Sequence, residues 1–372
     1  MRYGFGPEDL IELHLLDQRH PIPVDLPEGL KVVQVDTCIQ EVLSRSILRG
    51  LPSAVVSRGP WYAVRRALYS VGLRFGKNSI GLLADDLFPD PKIHECDVCF
   101  VLKEDEPILY YALTRVKSRQ TICFFHTADL LSPEYAGLYQ SKAVDKIVTV
   151  SQGNRDFLCR RMPKAWDKIS VIHNIVPPEE IRAKAAGAGA AWPCGDVFHI
   201  VSVCRVDMEK GVDIALKAAK LLDEAGADFC WHIIGPFDKG HTEEFWLNES
   251  KALGTEGRVV FEGAKSDPYP DIKAADLLVN ASRVESFGMA IREAQILGTP
   301  VISTDTYGGR ELIDDGITGI LVPVGDPAAL AAQIGRLIED PGALAGLVQR
   351  LQGTDFDETA EIKDRFAALI GV

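Results

Sequence analysis

Short apolar runs, each closed by a turn and mostly followed by an amphipathic stretch, constrain this chain more than any other feature. A first series reads as strands at Ile11–Leu16, Leu30–Val35, Asp97–Leu102, Thr121–His126, Lys146–Ser151 and Ile169–His173. A second series follows at Val197–Cys204, Phe229–Gly235, Arg258–Gly263, Asp276–Ala281, Thr299–Thr304 and Gly319–Val322. Helical patterns lie between them, for example Val212–Ala225 and Pro327–Ile338. Near-continuous apolar strands alternating with helices require parallel sheets covered on both faces. The fold class is therefore α/β, with two Rossmann-like domains. A length of 372 residues suits two such domains. The boundary falls at Val176-Pro177-Pro178, because consecutive prolines break regular structure. That gives domains over 1–176 and 177–355, with a C-terminal helix over 356–372. The tract from Ala185 to Ala191 reads as a helix end plus linker.

Charge and cysteine usage narrow the function classes. The net charge of −13 is uneven: residues 1–176 carry 22 cationic and 21 acidic side chains, and residues 177–372 carry 18 and 32. Neither half is strongly basic, which argues against general nucleic-acid binding. The asymmetry implies halves with different partners. No apolar run approaches the roughly 18 residues of a spanning helix, and the opening MRYGFGPEDL lacks a signal core. The eight cysteines (38, 96, 99, 123, 159, 194, 204, 230) are scattered, which reads as reduced thiols in a cytoplasmic protein. Cys96-x-x-Cys99 has no second pair, and no histidine pair has helical metal spacing, so no metal site is expected. Neither a phosphate-binding P-loop nor a Gly-x-Ser-x-Gly elbow occurs.

In open parallel sheets ligands bind beyond the carboxyl ends of the strands. One such segment runs Asn280-Ala-Ser-Arg-Val-Glu-Ser-Phe-Gly-Met-Ala-Ile-Arg-Glu293. A strand ending near Ala281 and a helix from about Ser286 to Leu297 place Glu285 at the turn. Glu293 lies eight residues on, about 12 Å along a helix. The N–H groups of Phe287, Gly288 and Met289 are expected to be free first-turn donors, a ready anion site. Carboxylate, phosphate cradle and second carboxylate match the sugar, diphosphate and ribose of a nucleotide-sugar. The alternative is a dipole-stabilising Glu285 and a solvated Glu293. A second segment, Cys204-Arg-Val-Asp-Met-Glu-Lys-Gly211, puts Arg205 and Lys210 on one strand-to-helix loop, where they could clamp a diphosphate. The alternative is a surface loop with Asp207 and Glu209 as local partners.

Together these segments resemble the retaining GT-B glycosyltransferases of family 4, the glycosyl transferases group 1. The resemblance rests on Glu285-x7-Glu293 within Ser-x-x-Glu-x-Phe-Gly, on Arg205-x4-Lys210-Gly211, and on Thr304-x3-Gly308-Gly309-x-Glu311 with Gly316-x-Thr-Gly319 and Gly325-Asp326. Asp145–Ser151 and Val171-Ile-His-Asn174 also fit, and about residues 95 to 340 are covered. The resemblance implies a C-terminal domain that binds a nucleoside-diphosphate sugar, UDP-linked by family habit. It implies an N-terminal domain that binds a glycan or lipid-linked acceptor of a capsular, exopolysaccharide or lipopolysaccharide pathway. Transfer would retain the anomeric configuration and use no metal or other cofactor. Arg205 and Lys210 would neutralise the leaving diphosphate, Glu285 would orient the sugar and Glu293 would bind the ribose. Ser286, Phe287, Gly288 and Met289 would contact the donor, Gly235 would line the nucleotide side, and His126 would serve near sugar and acceptor. Asn174 reads as a structural cap. The opening departs from the family pattern, since the first strand comes at Ile11 without a clear glycine-rich loop beyond Gly4 and Gly6. Other readings are a different GT-B enzyme such as an epimerase or phosphorylase, and a non-catalytic nucleotide-sugar-binding or partner subunit.

From Val42 to Ala84 there is no acidic residue and a local charge of +7. Arg58, Arg65, Arg66, Arg74 and Lys77 interleave there with Trp61, Tyr62, Tyr69 and Phe75. The pattern suits an amphipathic helix on an anionic bilayer, at the inner face of the cytoplasmic membrane. The alternative is a covering helix with a solvated cationic face.

Overall fold

Each of the twelve apolar runs forms a strand in the computed structural model, which describes residues 11–15, 30–34, 88, 90–102, 106–127, 133–187, 192, 197–238 and 240–371. The chain divides into two units. Unit 1 takes in Met1–Val150, Asn154–Ile172 and Lys363–Val372, and unit 2 takes in Ser151–Gly153 and His173–Ile362.

In unit 1, β1 (Ile11–Leu15) and β2 (Leu30–Gln34) pair in parallel. β3 (His94–Val101), β4 (Val116–Phe125), β5 (Lys146–Thr149) and β6 (Ile169–Val171) form a parallel sheet in that order. The crossovers carry α1 (Glu106–Arg115), α2 (Pro133–Tyr139) and α3 (Gln152–Arg161). Leu109, Phe125, Ile147 and Leu158 centre its core. The last helix, α12 in chain order (Thr359–Ile370), supplies Phe366, stacked 5.6 Å from the Phe100 ring and 6.3 Å from Phe124. Lys146 donates to the Leu369 carbonyl, which holds the helix end to β5.

Unit 2 is built on a six-stranded parallel sheet. Its strands are β7 (Phe198–Val203), β8 (Phe229–Ile234), β9 (Val259–Gly263), β10 (Leu277–Asn280), β11 (Val301–Thr304) and β12 (Ile320–Val322). The spatial order is β12-β11-β10-β7-β8-β9. This is the doubly wound order, and it reverses between β7 and β10. α4 (Pro178–Lys184) precedes β7, and between the strands run α5 (Val212–Glu224), α6 (Glu243–Leu253), α7 (Tyr269–Ala274), α8 (Met289–Leu297) and α9 (Tyr307–Leu312). α10 (Pro327–Glu339) and α11 (Pro341–Gln352) follow β12. Val212, Ala215, Leu216, Ala219 and Leu222 are buried along one stripe of α5, the spacing of an amphipathic helix. Pro178 occupies the first position of α4, so the paired prolines start a helix as well as interrupting the chain before it. The tract expected as a linker ends α4 at Ala185, and residues 188–191 lie outside the described residues. Cys96, Cys99, Cys123, Cys159 and Cys204 form no disulfide. Cys230 is disulfide-bonded, which corrects the expectation of uniformly reduced thiols.

Beneath the reversal point one hydroxyl ties three strands. Ser202 of β7 donates to the Val279 carbonyl of β10 at 2.6 Å and accepts from Trp231 Nε1 of β8 at 3.0 Å. Trp231 is fully buried. Ser202→Ala would leave a buried indole N–H without its acceptor, a loss of about 1–3 kcal/mol. The urea unfolding midpoint is expected to fall accordingly; an unchanged midpoint would refute the role of this hydroxyl.

Candidate functional site

The loops that follow β7, β8 and β10 meet backbone to backbone. A Cβ on Gly211 would lie 2.0 Å from the Ala281 carbonyl oxygen, and one on Gly235 would lie 1.8 Å from that of Cys204. Both glycines also have positive φ, at +69° and +152°. No side chain fits at either point. Gly235 is thus a packing position at the end of β8.

Asp207 organises the first loop. It is buried, its Oδ1 accepts the Lys210 backbone N–H at 2.7 Å, and its Oδ2 accepts from Arg205 Nε. Arg205 also reaches Glu209 at 3.4 Å and is half-exposed. Lys210 Nζ lies 2.8 Å from Glu285 Oε2, with both side chains about one-fifth exposed. The structure thus brings Lys210 and Glu285 together and leaves Arg205 on the same loop, facing carboxylates. Burial pushes the adjacent Cys204 thiol up to about 12, so it is no nucleophile.

The helix after β10 begins later than its pattern suggests. Gly288, in the left-handed conformation at φ +94°, is the N-cap, and α8 starts at Met289 rather than Ser286. A Cβ on Gly308 would come within 2.6 Å of the Phe287 carbonyl, and the Gly308 N–H donates to the Glu285 carbonyl at 2.7 Å. This close approach holds residues 285–287 as a turn. The first-turn N–H groups of α8 are therefore those of Met289 and Ala290, not Phe287 and Gly288. Phe287 is buried as a packing residue, Ser286 is half-buried, and Met289 is exposed.

Glu293 sits one helical stretch further on, half-buried between α7 and α4. Tyr269 donates to its Oε1 at 3.5 Å. Burial raises the Glu293 carboxyl above the ordinary range, against the Tyr269 hydrogen bond and the nearby Lys184 charge. A small cavity beside it is lined by Val176, Pro177, Lys184, Tyr269 and Met289. His126 lies in unit 1, exposed, just past the end of β4. Arg58, Trp61, Arg65, Arg66, Arg74 and Lys77 lie outside the described residues.

Sequence spacing did not disclose a second polar cluster in unit 2. His173 Nε2 lies 2.9 Å from Glu311 Oε1, and Nδ1 lies 2.7 Å from Glu358 Oε2. Arg292 donates to the other oxygen of Glu358 at 2.7 Å, and Glu311 Oε2 accepts the Gln152 N–H at 2.9 Å. The Phe287 ring centre is 5.4 Å from that of His173. His173, Arg292 and Glu311 fall within recognised segments, and Glu358 does not. Each of these bonds joins residues 66 or more positions apart, beyond any local pattern.

Residues 195–352 match the family described as Glycosyl transferases group 1. The matched stretch carries Arg205, Lys210, Glu285 and Glu293. D-inositol 3-phosphate glycosyltransferase 1 of Catenulispora acidiphila is 30% identical over 236 residues, 59% of this chain and 56% of that protein. The amylovoran biosynthesis glycosyltransferase AmsK of Erwinia amylovora is 30% identical over 54% of this chain and 52% of its own length. The chain spans about half the length of these curated relatives. Anabaena Alr3699/HepE, solved in complex with UDP, superposes with a TM-score of 0.64 at 16% identity, covering 92% of this chain and 86% of that one. Sucrose-phosphate synthase of Thermosynechococcus elongatus gives 0.66 at 18% identity, over 97% and 88%. These likenesses show the fold, two Rossmann-like units of the GT-B kind.

Two carboxylates can both accept from one imidazole only if both ring nitrogens carry protons. The hydrogen bonds to Glu311 and then Glu358 raise the His173 pKa to about 9, against an ordinary 6.5. A folded-state pKa above the unfolded value stabilises fully below pH 6.5 and is lost as pH rises through 9. We expect on the order of 2–3 kcal/mol of unfolding free energy to disappear across that window. His173→Gln should flatten this part of the profile. An equal slope in both proteins would show that the imidazole is not the titrating group.

Proposed function

We propose that this protein is a retaining glycosyltransferase that moves a sugar from a nucleoside-diphosphate donor, UDP-linked, to a glycan or lipid-linked acceptor in cell-surface polysaccharide synthesis. The observation that carries this reading is the set Arg205, Lys210, Glu285 and the α8 N-terminus, gathered where the strand order of unit 2 reverses. Solved relatives of this fold that bind UDP, and similar proteins named for polysaccharide biosynthesis, support it.

Transfer breaks the bond between the anomeric carbon and the diphosphate and forms one from that carbon to an acceptor hydroxyl oxygen, whose proton passes to the departing diphosphate, on which negative charge grows. Lys210 and Arg205 neutralise that charge, and the first N–H groups of α8 add the positive end of a helix dipole. No metal is needed for this neutralisation. Lys210 leaves its Glu285 partner for the diphosphate, which frees that carboxylate to accept from the sugar hydroxyls. Glu293 accepts from the ribose hydroxyls. Unit 1 binds the acceptor, with His126 at its β4 end. The basic segment from 42 to 84 holds the protein to anionic lipid.

Calorimetric titration with UDP, GDP and ADP, in EDTA, tests the reading. We expect micromolar-range binding of UDP, lost in Glu293→Ala, and turnover lowered by about 10²–10³-fold in Lys210→Ala. Binding of no nucleotide would overturn the catalytic reading in favour of a non-catalytic subunit, and a requirement for added metal would overturn the metal-free mechanism. Separately, Arg65→Glu, Arg66→Glu and Arg74→Glu together should release the protein from phosphatidylserine-containing vesicles. Unchanged sedimentation would sink the membrane reading.

A further inference from the structure

Arg283 lies two residues before Glu285, on the turn after β10. It spans to the neighbouring loop. Nη1 donates to the Met208 carbonyl at 2.5 Å and to Asp213 Oδ1 at 2.7 Å, and Nη2 donates to Asp213 Oδ2 at 3.0 Å. The Arg283 backbone N–H donates to the Glu209 carbonyl at 2.8 Å. One residue thus makes four bonds to the stretch 208–213, which carries Lys210 at its centre.

The bonds differ in kind from an ordinary surface ion pair, which contributes little. The two-pronged pair with Asp213 fixes the plane of the guanidinium, and that plane presents a third bond to a main-chain carbonyl. Asp213 is largely buried, in the first turn of α5. Lys210 has two further anchors, the Asp207 carboxylate on its N–H and the contact of Gly211 with Ala281. Both act at or beyond the Lys210 backbone. Arg283 is the only side chain among the described hydrogen bonds that ties the preceding Met208 carbonyl to the Glu285 turn.

We propose that Arg283 is a positioning residue: it sets the Lys210 loop against the Glu285 turn so that the ammonium stands where the donor's diphosphate binds. This rests on the donor-binding reading given under Proposed function. Arg283 touches neither sugar nor phosphate, so its effect on binding passes through Lys210.

A double-mutant cycle distinguishes positioning from general support. UDP, GDP and ADP are titrated calorimetrically into wild type, Arg283→Gln, Lys210→Ala and the double variant, and unfolding midpoints are recorded for each. We expect Arg283→Gln to weaken binding of the preferred nucleotide by about tenfold, and to weaken it no further once Lys210 is gone. A merely structural role would lower affinity by the same factor in both backgrounds, and that result would overturn the proposal, as would wild-type affinity in Arg283→Gln. If Lys210→Ala binds like wild type, the assigned role of Lys210 fails, and this proposal with it. If wild type binds none of the three nucleotides, the donor-binding reading itself is what has failed.

Discussion

The approach of the Gly211 backbone to the Ala281 carbonyl decides how near the two halves of the candidate site can come. Strands β7 and β10 are adjacent, but their following loops leave in opposite directions around the sheet, because the strand order reverses between them. Side chains of ordinary size at the crossing would push the loops apart by the width of a Cβ. With glycine there, the Lys210 ammonium reaches Glu285 at 2.8 Å. Gly308 does the same on the far side of Glu285, where its backbone presses on residues 285–287. The site is therefore built from close main-chain contacts first, and its charged side chains inherit their positions.

Those charges are already partnered. Lys210 faces Glu285, and Arg205 faces Asp207 and Glu209. A half-buried cation left alone would lose hydration without compensation. The carboxylates supply that compensation, and in the proposed reaction a diphosphate takes their place because it offers more charge and more acceptor oxygens. Under the proposed function Glu285 serves both as the resting partner of Lys210 and as an acceptor for sugar hydroxyls, since these roles do not overlap in time. Asp207 is different. Its buried carboxylate also accepts the Lys210 N–H, so it belongs to the frame of the loop and not to its exchangeable charge.

Much of this frame was legible in the sequence, because strands buried on both faces must be apolar along their whole length. All twelve runs announced themselves that way; Arg205, Lys210 and Glu285 lie in the loops that follow strand ends, and Glu293 lies eight residues beyond Glu285. The start of α8 was not legible. Ser286 is an acceptable helix-starting residue, and only the left-handed Gly288 and the pressure of Gly308 delay the helix to Met289. His173, Arg292 and Glu358 could not be joined by pattern at all. Their meeting depends on how the beginning and end of unit 2 are packed, and no local period encodes that. Arg283 was in plain view within the motif, yet its partners lie 70 and more positions away.

The acidity of the second half raises a physical question, since its proposed ligand is an anion. Residues 177–372 carry 32 acidic and 18 basic side chains. Distant charges are screened over about 8 Å at physiological ionic strength. The potential felt by a bound diphosphate is therefore set by its immediate neighbours, not by the net charge of the unit. Those neighbours are Lys210, Arg205 and the N-terminus of α8, whose field falls off within its first turn. Acidic side chains elsewhere in the unit are in part paired, as Asp223 and Asp228 are with Arg258. An acidic domain can hold an anion under one condition, that the few cations near it are fixed in place and cannot relax toward the surrounding carboxylates. Asp207 beneath the loop and Arg283 across it impose that restraint on Lys210.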